Sequence, residues 1–379
     1  MKVIVHICRI LLGLVFIFSG FVKAVDPIGF QYKLVDYFVA LNINWLSPFA
    51  LFLSFSLIGL EFLLGFTLLF NVKFRLSYIF SLLLMVVFTP LTLWLAISNK
   101  VSDCGCFGDA IPLTNWQTFY KNVIIDLVLI FVIIFRNKIT AWLSNKKEWI
   151  MIGIFALLIL GFEFYNYLNL PVIDFRPYKI GNNLAEQMKM PEGAKSDKFM
   201  VIYSMKNAKT GELKEINSED YLKTKIWQDT TWKIEKTSEP VLVEKGYTPP
   251  IHDFKIVDEN GNDLVDSVLQ IDSYCFLLVM YDLENSNKDG ILKANKIHEW
   301  AKSNNLGFYA ITSASKEEQE SLKKTLNLGM NFYTCDPITM KTIIRSNPGL
   351  VLLKKGTVID HWHHRKIPSP EKMKTKLGL

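Results

Sequence analysis

Hydrophobic and polar positions divide this chain into an apolar first part and a mixed second part. Five apolar runs lie within the first 170 residues, and each is close to the roughly 20 residues that a helix needs to cross a bilayer. They are residues 3–25, 46–70, 76–97, 116–135 and 149–168. The pattern predicts an α-helical membrane bundle of four helices with a fifth, connecting transmembrane helix, followed by a soluble region.

The first apolar run has a rival interpretation as a cleaved signal peptide. It follows Lys2 and contains the small pair Ser19-Gly20. The run is longer than a signal core and lacks a compelling small-x-small cleavage site, which favours a retained span.

The positions of Lys and Arg in the short loops predict the orientation. If the five spans alternate, Lys2, the loop of Lys73 and Arg75, and the loop from Arg136 to Lys147 share one side, which should be the cytoplasm. Residues 26–44, residues 101–109 and everything after Leu170 then lie outside. We therefore expect an integral protein of the bacterial inner membrane whose C-terminal domain is extracytoplasmic.

The soluble region alternates strand and helix signals. Leu170-Pro171 breaks the fifth helix, and residues 172–249 carry short strand patterns at 199–205 and 227–236. From 250 onward we expect a hairpin (253–257 and 264–268), a buried strand at 275–281, helices near 290–303 and 316–326, strands at 307–312 and 331–335, a helix at 337–344 and a closing hairpin (349–353 and 357–362). Such alternation is typical of an α/β layer fold.

A short loop between the third and fourth runs carries the clearest chemical signal. Cys104 and Cys106 are separated only by Gly105, which can adopt the backbone conformations that a tight turn needs. A disulfide across one residue closes a small strained ring and passes readily to another thiol. The pair therefore predicts a redox-active or metal-binding dithiol; the alternative is two unrelated small residues in a polar loop.

Ionisable residues within the apolar runs form a second signal, since each is costly in hydrocarbon. Arg9 in the first run and Glu61 in the second could pair across helices and fix their register. A proton or substrate path is the alternative. Asp126 and Glu163 lie nearer the ends of their runs, where their carboxylates would reach the interface.

Three stretches together resemble a known family of membrane proteins. They are the run from Arg9 to Lys23, the second-run segment Gly59-Leu-Glu-Phe-Leu-Leu-Gly65, and Cys104-Gly-Cys-Phe-Gly-Asp109. They resemble the DoxX-like superfamily and, within it, the methylamine-utilisation MauE-like branch, over about the first 140 residues. The resemblance implies a four-helix bundle associated with thiol redox work outside the cytoplasm, in some members linked to disulfide formation in a partner protein.

The order of elements after residue 250 resembles the thioredoxin-like fold of peroxiredoxins and thiol reductases. In that family a proline before the last hairpin is usually cis, so the resemblance makes Pro348 a candidate cis-proline. Where the family has Cys-x-x-Cys, this chain has Asp282-Leu-Glu-Asn-Ser-Asn-Lys288, without cysteine. Cys275 and Cys335 are expected to be buried packing groups.

These patterns predict four segments. They are a DoxX/MauE-like membrane domain (1–140), the fifth transmembrane helix and connector (141–171), a small β-rich extracytoplasmic segment (172–249) and a thioredoxin-like domain (250–379).

Apart from the metal-binding alternative at Cys104 and Cys106, the sequence predicts no cofactor and no metal site. His361, His363 and His364 include a same-face pair on a strand, but no third ligand is evident, so an exposed strand end is favoured. No basic patch interleaved with aromatic residues points to nucleic acid. The expected partners are the lipid bilayer and an envelope protein that carries thiols or a disulfide.

Two classes of function remain open. In the first, the protein takes part in extracytoplasmic thiol-disulfide exchange through Cys104 and Cys106, and its soluble domain docks the partner. In the second, it is a non-catalytic, membrane-anchored scaffold. Enzymatic activity as a thiol-disulfide oxidoreductase component is therefore an open expectation.

Overall fold

A computed structural model of the chain describes residues 1–101, 104–139, 143–195, 198–244 and 246–379. The expected boundary between residues 140 and 141 lies outside this range, as do Ser102 and Asp103 of the cysteine loop. The described residues divide into two compact units, one of residues 1–181 with 255–379 and one of residues 182–254.

The first unit begins with a helical bundle. Five stretches of the described chain form helices long and apolar enough to cross a membrane, as predicted, and the second of these, Asn44–Phe70, begins with a 3-10 turn. The α-helices are α1 (Lys2–Val25), α2 (Pro27–Ala40), α3 (Ala50–Phe70), α4 (Phe74–Ser98), α5 (Asn115–Ile134) and α6 (Asn145–Leu168).

Helix α2 replaces the loop that the sequence predicted at 26–44. The Asp26 side chain accepts a hydrogen bond from the backbone of Gly29, and Pro27 occupies the first turn, where its missing N–H is harmless. Buried apolar residues then recur at Phe30, Leu34 and Phe38. The stretch is too short and too polar to register as a span, yet its period is that of an amphipathic helix.

Helices α1 and α3 cross in close contact. A Cβ atom added at Gly65 would lie 2.5 Å from the backbone nitrogen of Ile17, and one at Gly13 would lie 2.7 Å from that of Leu69. A Cβ atom at Gly20 would lie 2.9 Å from the backbone nitrogen of Phe62. These contacts show that the two helices run antiparallel, and they fix which residues of α1 and α3 face each other.

The second unit, residues 182–254, is β-rich as expected for this region. It contains a two-stranded antiparallel sheet and a three-stranded antiparallel sheet in the order β3-β2-β4. Its elements are α7 (Leu184–Met188), β1 (Lys198–Met200), β2 (Ile202–Asn207), β3 (Leu213–Asn217), α8 (Ser218–Thr224), β4 (Trp232–Thr237) and β5 (Val241–Glu244). Strand β4 starts later than predicted, because a 3-10 turn occupies Ile226–Gln228.

The α/β region completes the first unit with a five-stranded sheet in the order β10-β9-β6-β7-β8. Strand β6 runs parallel to β7 and antiparallel to β9. The elements are α9 (Val265–Leu269), β6 (Tyr274–Met280), α10 (Lys288–Ser303), β7 (Gly307–Thr312), α11 (Lys316–Leu326), β8 (Phe332–Thr334), α12 (Pro337–Ile343), β9 (Gly349–Lys354), β10 (Thr357–His363) and α13 (Pro370–Leu377).

Most elements of this region match the predicted order, and two do not. The predicted strand at 264–268 is a helical turn, α9, and only an isolated bridge joins Val257 to Asp263. Asp263 explains the change, because its carboxylate accepts hydrogen bonds from the backbones of Ile256 and Val265 and so turns the chain. Helix α13 was not predicted; it buries Met373 against the core around Phe276 and Leu278.

Candidate functional site

The cysteine loop lies against α2 and the C-terminal part of α1. Cys104 is only 4% exposed and packs in an apolar cluster with Phe30, Leu34 and Val101. The Tyr37 hydroxyl donates a hydrogen bond to the Cys104 carbonyl. Gly105 has a φ of 63°, in the left-handed region that favours glycine. Helix α2, which the sequence did not predict, therefore forms the wall behind the first cysteine.

Cys106 is connected to the bundle by a chain of hydrogen bonds. The Ser19 hydroxyl donates to the Cys106 carbonyl at 2.8 Å, and Lys23 Nζ donates to Ser19 Oγ at 3.1 Å. Lys23 Nζ also lies 2.6 Å from Glu61 Oε2. The buried lysine thus joins the second cysteine's backbone to a carboxylate within the bundle.

The expected pairing of Arg9 with Glu61 is wrong. Glu61 pairs with Lys23, and Arg9 donates to the carbonyls of Leu68 and Leu69 at the end of α3. The antiparallel crossing explains this difference, because it brings Glu61 opposite the end of α1 and leaves Arg9 opposite the last turn of α3. There Arg9 donates to two carbonyl groups of the last helical turn, where the regular pattern of backbone hydrogen bonds ends.

Cys104 and Cys106 stand on either side of Gly105, the positive-φ position of the turn. Among the described cysteines, Cys8 lies in the first span, Cys275 on strand β6 and Cys335 before α12. Only Cys104 and Cys106 stand close together in the sequence on a loop.

Two cavities flank the cysteine loop. The outer cavity, of about 70 Å³, lies between the loop and the α/β region, and its lining includes Lys33, Gly105, Asp109, Arg176 and Arg345. The inner cavity, of about 40 Å³, lies within the bundle. Its lining is Val15, Phe16, Ser19, Lys23, Glu61, Leu84, Met85, Phe88, Cys106, Lys121, Asn122 and Ile125. Lys23 borders both cavities, and Cys106 borders the inner one.

An ion pair joins the bundle to the α/β region beside the outer cavity. Arg345 Nε lies 2.8 Å from Asp26 Oδ2, and both Arg345 and Lys341 stand over the Tyr32 ring. Burial alone would lower the pKa of Arg345, but the carboxylates of Asp26 and Asp109 raise it above its usual value. The guanidinium is therefore firmly charged at the outer cavity.

A second ion pair lies on the connector after α6. Arg176 Nη2 lies 2.7 Å from Asp174 Oδ2, and Arg176 Nη1 donates to the carbonyl of Thr342. Burial would raise the pKa of Asp174, but Arg176 outweighs it, so the pKa is lowered. Asn166 of α6 donates to the Ala24 carbonyl at 3.1 Å. The connector is thus attached both to α1 and to the α/β region.

The Pro348 segment faces the loop that follows the core strand. The Asn347–Pro348 peptide bond is cis. Asn347 donates to the Asp282 carbonyl, accepts from the Ser286 hydroxyl, and its carbonyl accepts from the backbone of Asn287. Asn347 therefore bonds the Pro348 segment to the loop after β6, residues 281–287, which contains no cysteine.

Neither cysteine of the α/β region is placed for exchange. Cys275 is 1% exposed and Cys335 is 4% exposed. Burial raises the pKa of Cys275 to about 12, so its thiolate is scarce at neutral pH. Both are packing groups.

The histidine cluster is not an exposed strand end. His363 is 4% exposed, and its Nδ1 accepts a hydrogen bond from the backbone of Arg365. Burial, with the neighbouring charges of His364, Arg365 and Lys366, lowers the pKa of His363 to about 3. Among the described residues, no group of three or more His, Cys, Asp or Glu side chains could hold a metal ion.

The two carboxylates expected at the ends of their spans differ from each other. Asp126 accepts a 2.8 Å hydrogen bond from Thr89. Glu163 is fully buried, and neither of its oxygens has a hydrogen-bond partner. The expectation that it reaches the interface is wrong, because α6 turns this position toward α3 near Gly59.

Comparison with known proteins supports the membrane part most directly. Residues 1–136 match the family model of the methylamine utilisation protein MauE. This part of the chain is similar to MauE. The five apolar helices and this match identify an integral membrane protein.

A curated relative and two solved structures are also similar to parts of the chain. Protein TlpB of Flavobacterium psychrophilum is 27% identical over 186 residues, which are 48% of this chain and 49% of that protein. The chain therefore spans about half the length of this relative. A disulfide isomerase candidate from Bacteroides thetaiotaomicron has 12% identity and a TM-score of 0.27, with 34% of this chain and 87% of that chain covered. A PrxQ mutant of Xylella fastidiosa has 13% identity and a TM-score of 0.23 over the same shares.

The sequence located the cysteines but missed the groups around them. Lys23, Asp26 and Arg345 gave no motif, since isolated charges at helix ends are common. The one available signal was Asp26-Pro27, because aspartate followed by proline is a common start of a helix.

Proposed function

We propose that this protein is a membrane thiol-disulfide oxidoreductase that acts outside the cytoplasm through Cys104 and Cys106. One observation carries the proposal: the pair lies between two cavities and is linked to the buried Lys23–Glu61 ion pair through Ser19. Cationic neighbours favour the thiolate, which is the form that reacts. A structural cysteine pair would need neither the cavities nor the charge.

In the proposed reaction, the Cys104–Cys106 disulfide oxidises a dithiol of an envelope protein. A partner thiolate attacks one sulfur, the Cys104–Cys106 bond breaks, and a mixed disulfide forms. The partner's second thiolate then attacks that mixed bond. The partner leaves with a disulfide, and Cys104 and Cys106 keep both electrons and take up two protons as thiols.

The α/β region is, in this proposal, a thioredoxin-like domain that docks the partner and has no exchange chemistry of its own. The order of β6, α10, β7, α11 and the final hairpin supports this assignment, as does the contact of Asn347 with the loop after β6. Its Arg345 borders the outer cavity, through which a partner would approach the loop.

The proposed orientation places this cavity outside the cytoplasm, in the cell envelope. Basic residues support it, because Lys2, Lys73, Arg75, Arg136 and Lys138 all lie at helix ends remote from the cysteine loop. A reporter fused after Leu379 tests it: a fusion active only in the cytoplasm would overturn the five-span orientation.

Trapping of thiols in intact cells tests the exchange chemistry. We expect an alkylating reagent to find Cys104 and Cys106 in both oxidised and reduced forms in the wild type. In Cys104→Ser or Cys106→Ser, mixed disulfides should accumulate, because the remaining thiolate attacks the disulfide of an oxidised partner and this protein has no second loop thiol to resolve the bond. Cys8→Ser is the matched control, because Cys8 lies in the first span away from the loop. The proposal fails if both loop cysteines stay reduced and their substitution leaves envelope thiols unchanged.

A non-catalytic scaffold is the second candidate. The buried state of Cys275 and Cys335 favours it for the α/β region alone. In that case the α/β region would still bind its partner after both loop cysteines are replaced by serine. The thiol-disulfide state of envelope proteins would be the same as in the wild type.

A further inference from the structure

The two loop cysteines stand in different surroundings, although only Gly105 separates them. Cys104 is 4% exposed and packs in an apolar cluster, whereas Cys106 lines the inner cavity, which Lys121 also lines. We infer that Cys106 is the leaving sulfur when a partner opens the disulfide, and that Lys121 is the positioning residue that stabilises the Cys106 thiolate. The inference rests on the proposed function, which leaves open the sulfur that the partner attacks.

The charged side chains of the inner cavity are two cations and one carboxylate. They are Lys23 on α1, Lys121 on α5 and Glu61 on α3, while α4 contributes apolar residues only. The Lys23 ammonium lies 2.6 Å from the Glu61 carboxylate, so these two charges largely cancel. Within the described part of the chain, Lys121 forms no ion pair. Its ammonium is therefore the charge that is left to act on Cys106.

Aromatic rings hold the Lys121 ammonium beside the cysteine loop. Its Nζ stands 4.3 Å from the centre of the Phe107 ring, and Phe107 directly follows Cys106 in the chain. Phe18 of α1 contacts that ring edge-on, with the two ring centres 5.3 Å apart. A cation over an aromatic face is attracted by the ring. The contact keeps a long side chain, which would otherwise extend to the lipid headgroups, next to the second cysteine.

The small volume of the inner cavity makes this charge effective. About 40 Å³ holds on the order of three water molecules, so the side chains that line the cavity stand only a few ångströms apart. An opposite charge within roughly 4–6 Å favours the charged form of an ionisable group, and more strongly where water is scarce. A Cys106 thiolate therefore gains an interaction that a Cys104 thiolate, in its apolar cluster, lacks.

A stabilised thiolate matters for both the rate and the direction of exchange. The thiol whose thiolate is more stable is the better leaving group, so the disulfide should break with its electron pair on Cys106. Stabilisation of the reduced form also makes a cysteine pair more oxidising. That agrees with the proposed direction, in which the pair oxidises its partner.

The outer cavity lies on the other side of the turn. Gly105 lines it, and so does Phe30, which packs in the same apolar cluster as Cys104. Most charges there cancel in two ion pairs, Asp26 with Arg345 and Asp174 with Arg176. The other charged residues that line it are Lys23, Lys33 and Asp109. This arrangement supports attack on Cys104 from the outer cavity and departure of Cys106 toward the inner one.

The exchange then has a fixed order of sulfurs. A partner thiolate forms a bond to Cys104 Sγ, the Cys104–Cys106 bond breaks, and its electron pair stays on Cys106 Sγ. The partner's second thiolate attacks the partner sulfur of the mixed disulfide, and Cys104 leaves as a thiolate. The two thiolates each take up a proton from water. Lys121 stays charged throughout and transfers no proton.

A pH profile of thiol alkylation tests the role of Lys121. In the full-length Cys104→Ser protein in detergent, iodoacetamide labelling of the Cys106 peptide is followed by mass spectrometry. Lys121→Met should lower the labelling rate at pH 7 about tenfold and raise the pH of the half-maximal rate by about one unit. Lys121→Arg keeps the charge and should restore both values.

Lys100→Met is the matched control for this profile. Lys100 stands over Trp94 and does not line the inner cavity, so its substitution should leave the labelling of Cys106 unchanged. An unchanged profile in Lys121→Met overturns the inference. An equal loss in Lys121→Met and Lys121→Arg shows a packing role for this side chain, which also overturns it.

Opening of the oxidised wild-type protein by reduced glutathione tests the order of the sulfurs. After trapping with N-ethylmaleimide, mass spectrometry should find glutathione on Cys104 and the maleimide on Cys106, in at least tenfold excess over the reverse. Lys121→Met should slow the opening several-fold, and Lys121→Arg should not. Glutathione mainly on Cys106, or equally on both cysteines, overturns this inference and upholds the exchange chemistry. A pair that glutathione leaves closed overturns both.

Discussion

Arg345 of the α/β region lies 2.8 Å from Asp26, the residue that ends α1 and caps α2, although 319 positions separate the two in the chain. The guanidinium side chain is 8% exposed and the carboxylate side chain 20% exposed. Gly29 allows this contact, because a Cβ atom there would lie 2.4 Å from Asp26 Oδ2. The pair fixes the α/β region over the cysteine loop.

Removal of one partner of this pair should destabilise the protein. Arg345→Met leaves the Asp26 carboxylate partly buried without its partner, and Asp26→Ala leaves the Arg345 charge buried. Each substitution should lower the free energy of unfolding by up to about 3–5 kcal/mol. The loss should be smaller where water reaches the remaining charge. Thermal unfolding of the purified protein in detergent measures the loss.

A double-mutant cycle distinguishes the ion pair from general packing. The Asp26→Ala/Arg345→Met protein should lose less stability than the Asp26→Ala and Arg345→Met variants lose in sum. The exposed pair of Lys355 and Asp272 is the matched control, and Lys355→Met should change stability little. Additive effects at Asp26 and Arg345 would contradict a direct interaction.

The close crossing of α1 and α3 predicts opposite outcomes for two glycines on one helix. Gly65→Ala places a Cβ atom 2.5 Å from the Ile17 backbone and should cost about 1–3 kcal/mol of stability. It should also separate Lys23 from Glu61. Gly59→Ala meets only Glu163, at 3.7 Å, which is an ordinary contact, and should be neutral or slightly stabilising. Similar melting temperatures for both variants would show that the crossing is looser than described.

The Tyr37 hydroxyl should control access to Cys104. It donates to the Cys104 carbonyl from the wall formed by α2, and Cys104 is 4% exposed. Tyr37→Phe removes the donor and keeps the ring, so the loop should open more often and a maleimide should alkylate Cys104 several-fold faster. Tyr120→Phe, at a 58% exposed position of α5, is the control. An unchanged alkylation rate would mean that packing alone holds the loop.

The sequence predicted secondary-structure elements more reliably than the side-chain partners of charged residues. Strand β7 and helix α11 have the predicted limits, because a continuous apolar run and a capping box at Ser315 are local signals. The Lys23–Glu61 pair could not be predicted, since it depends on the register of two helices, which Gly13, Gly20 and Gly65 set through backbone contact. Arg9 was the more obvious partner for Glu61 only because both stand inside apolar runs.

The buried histidine near the C-terminus predicts loss of stability in acid. Burial first, and then His364, Arg365 and Lys366, lower the pKa of His363 from 6.5 to about 3 in the folded state. Between pH 6.5 and about 3, His363 therefore binds a proton in the unfolded chain but not in the folded one. The free energy of unfolding is then highest above the unfolded pKa and falls as the pH drops from 6.5 toward 3. The slope should approach about 1.4 kcal/mol per pH unit for this proton. His363→Gln keeps an acceptor for the Arg365 backbone and should flatten the dependence of the melting temperature between neutral pH and about pH 5. His252→Gln, at an exposed position, should leave it unchanged. If His363→Gln melts with the wild-type pH dependence, the acid sensitivity arises elsewhere in the fold.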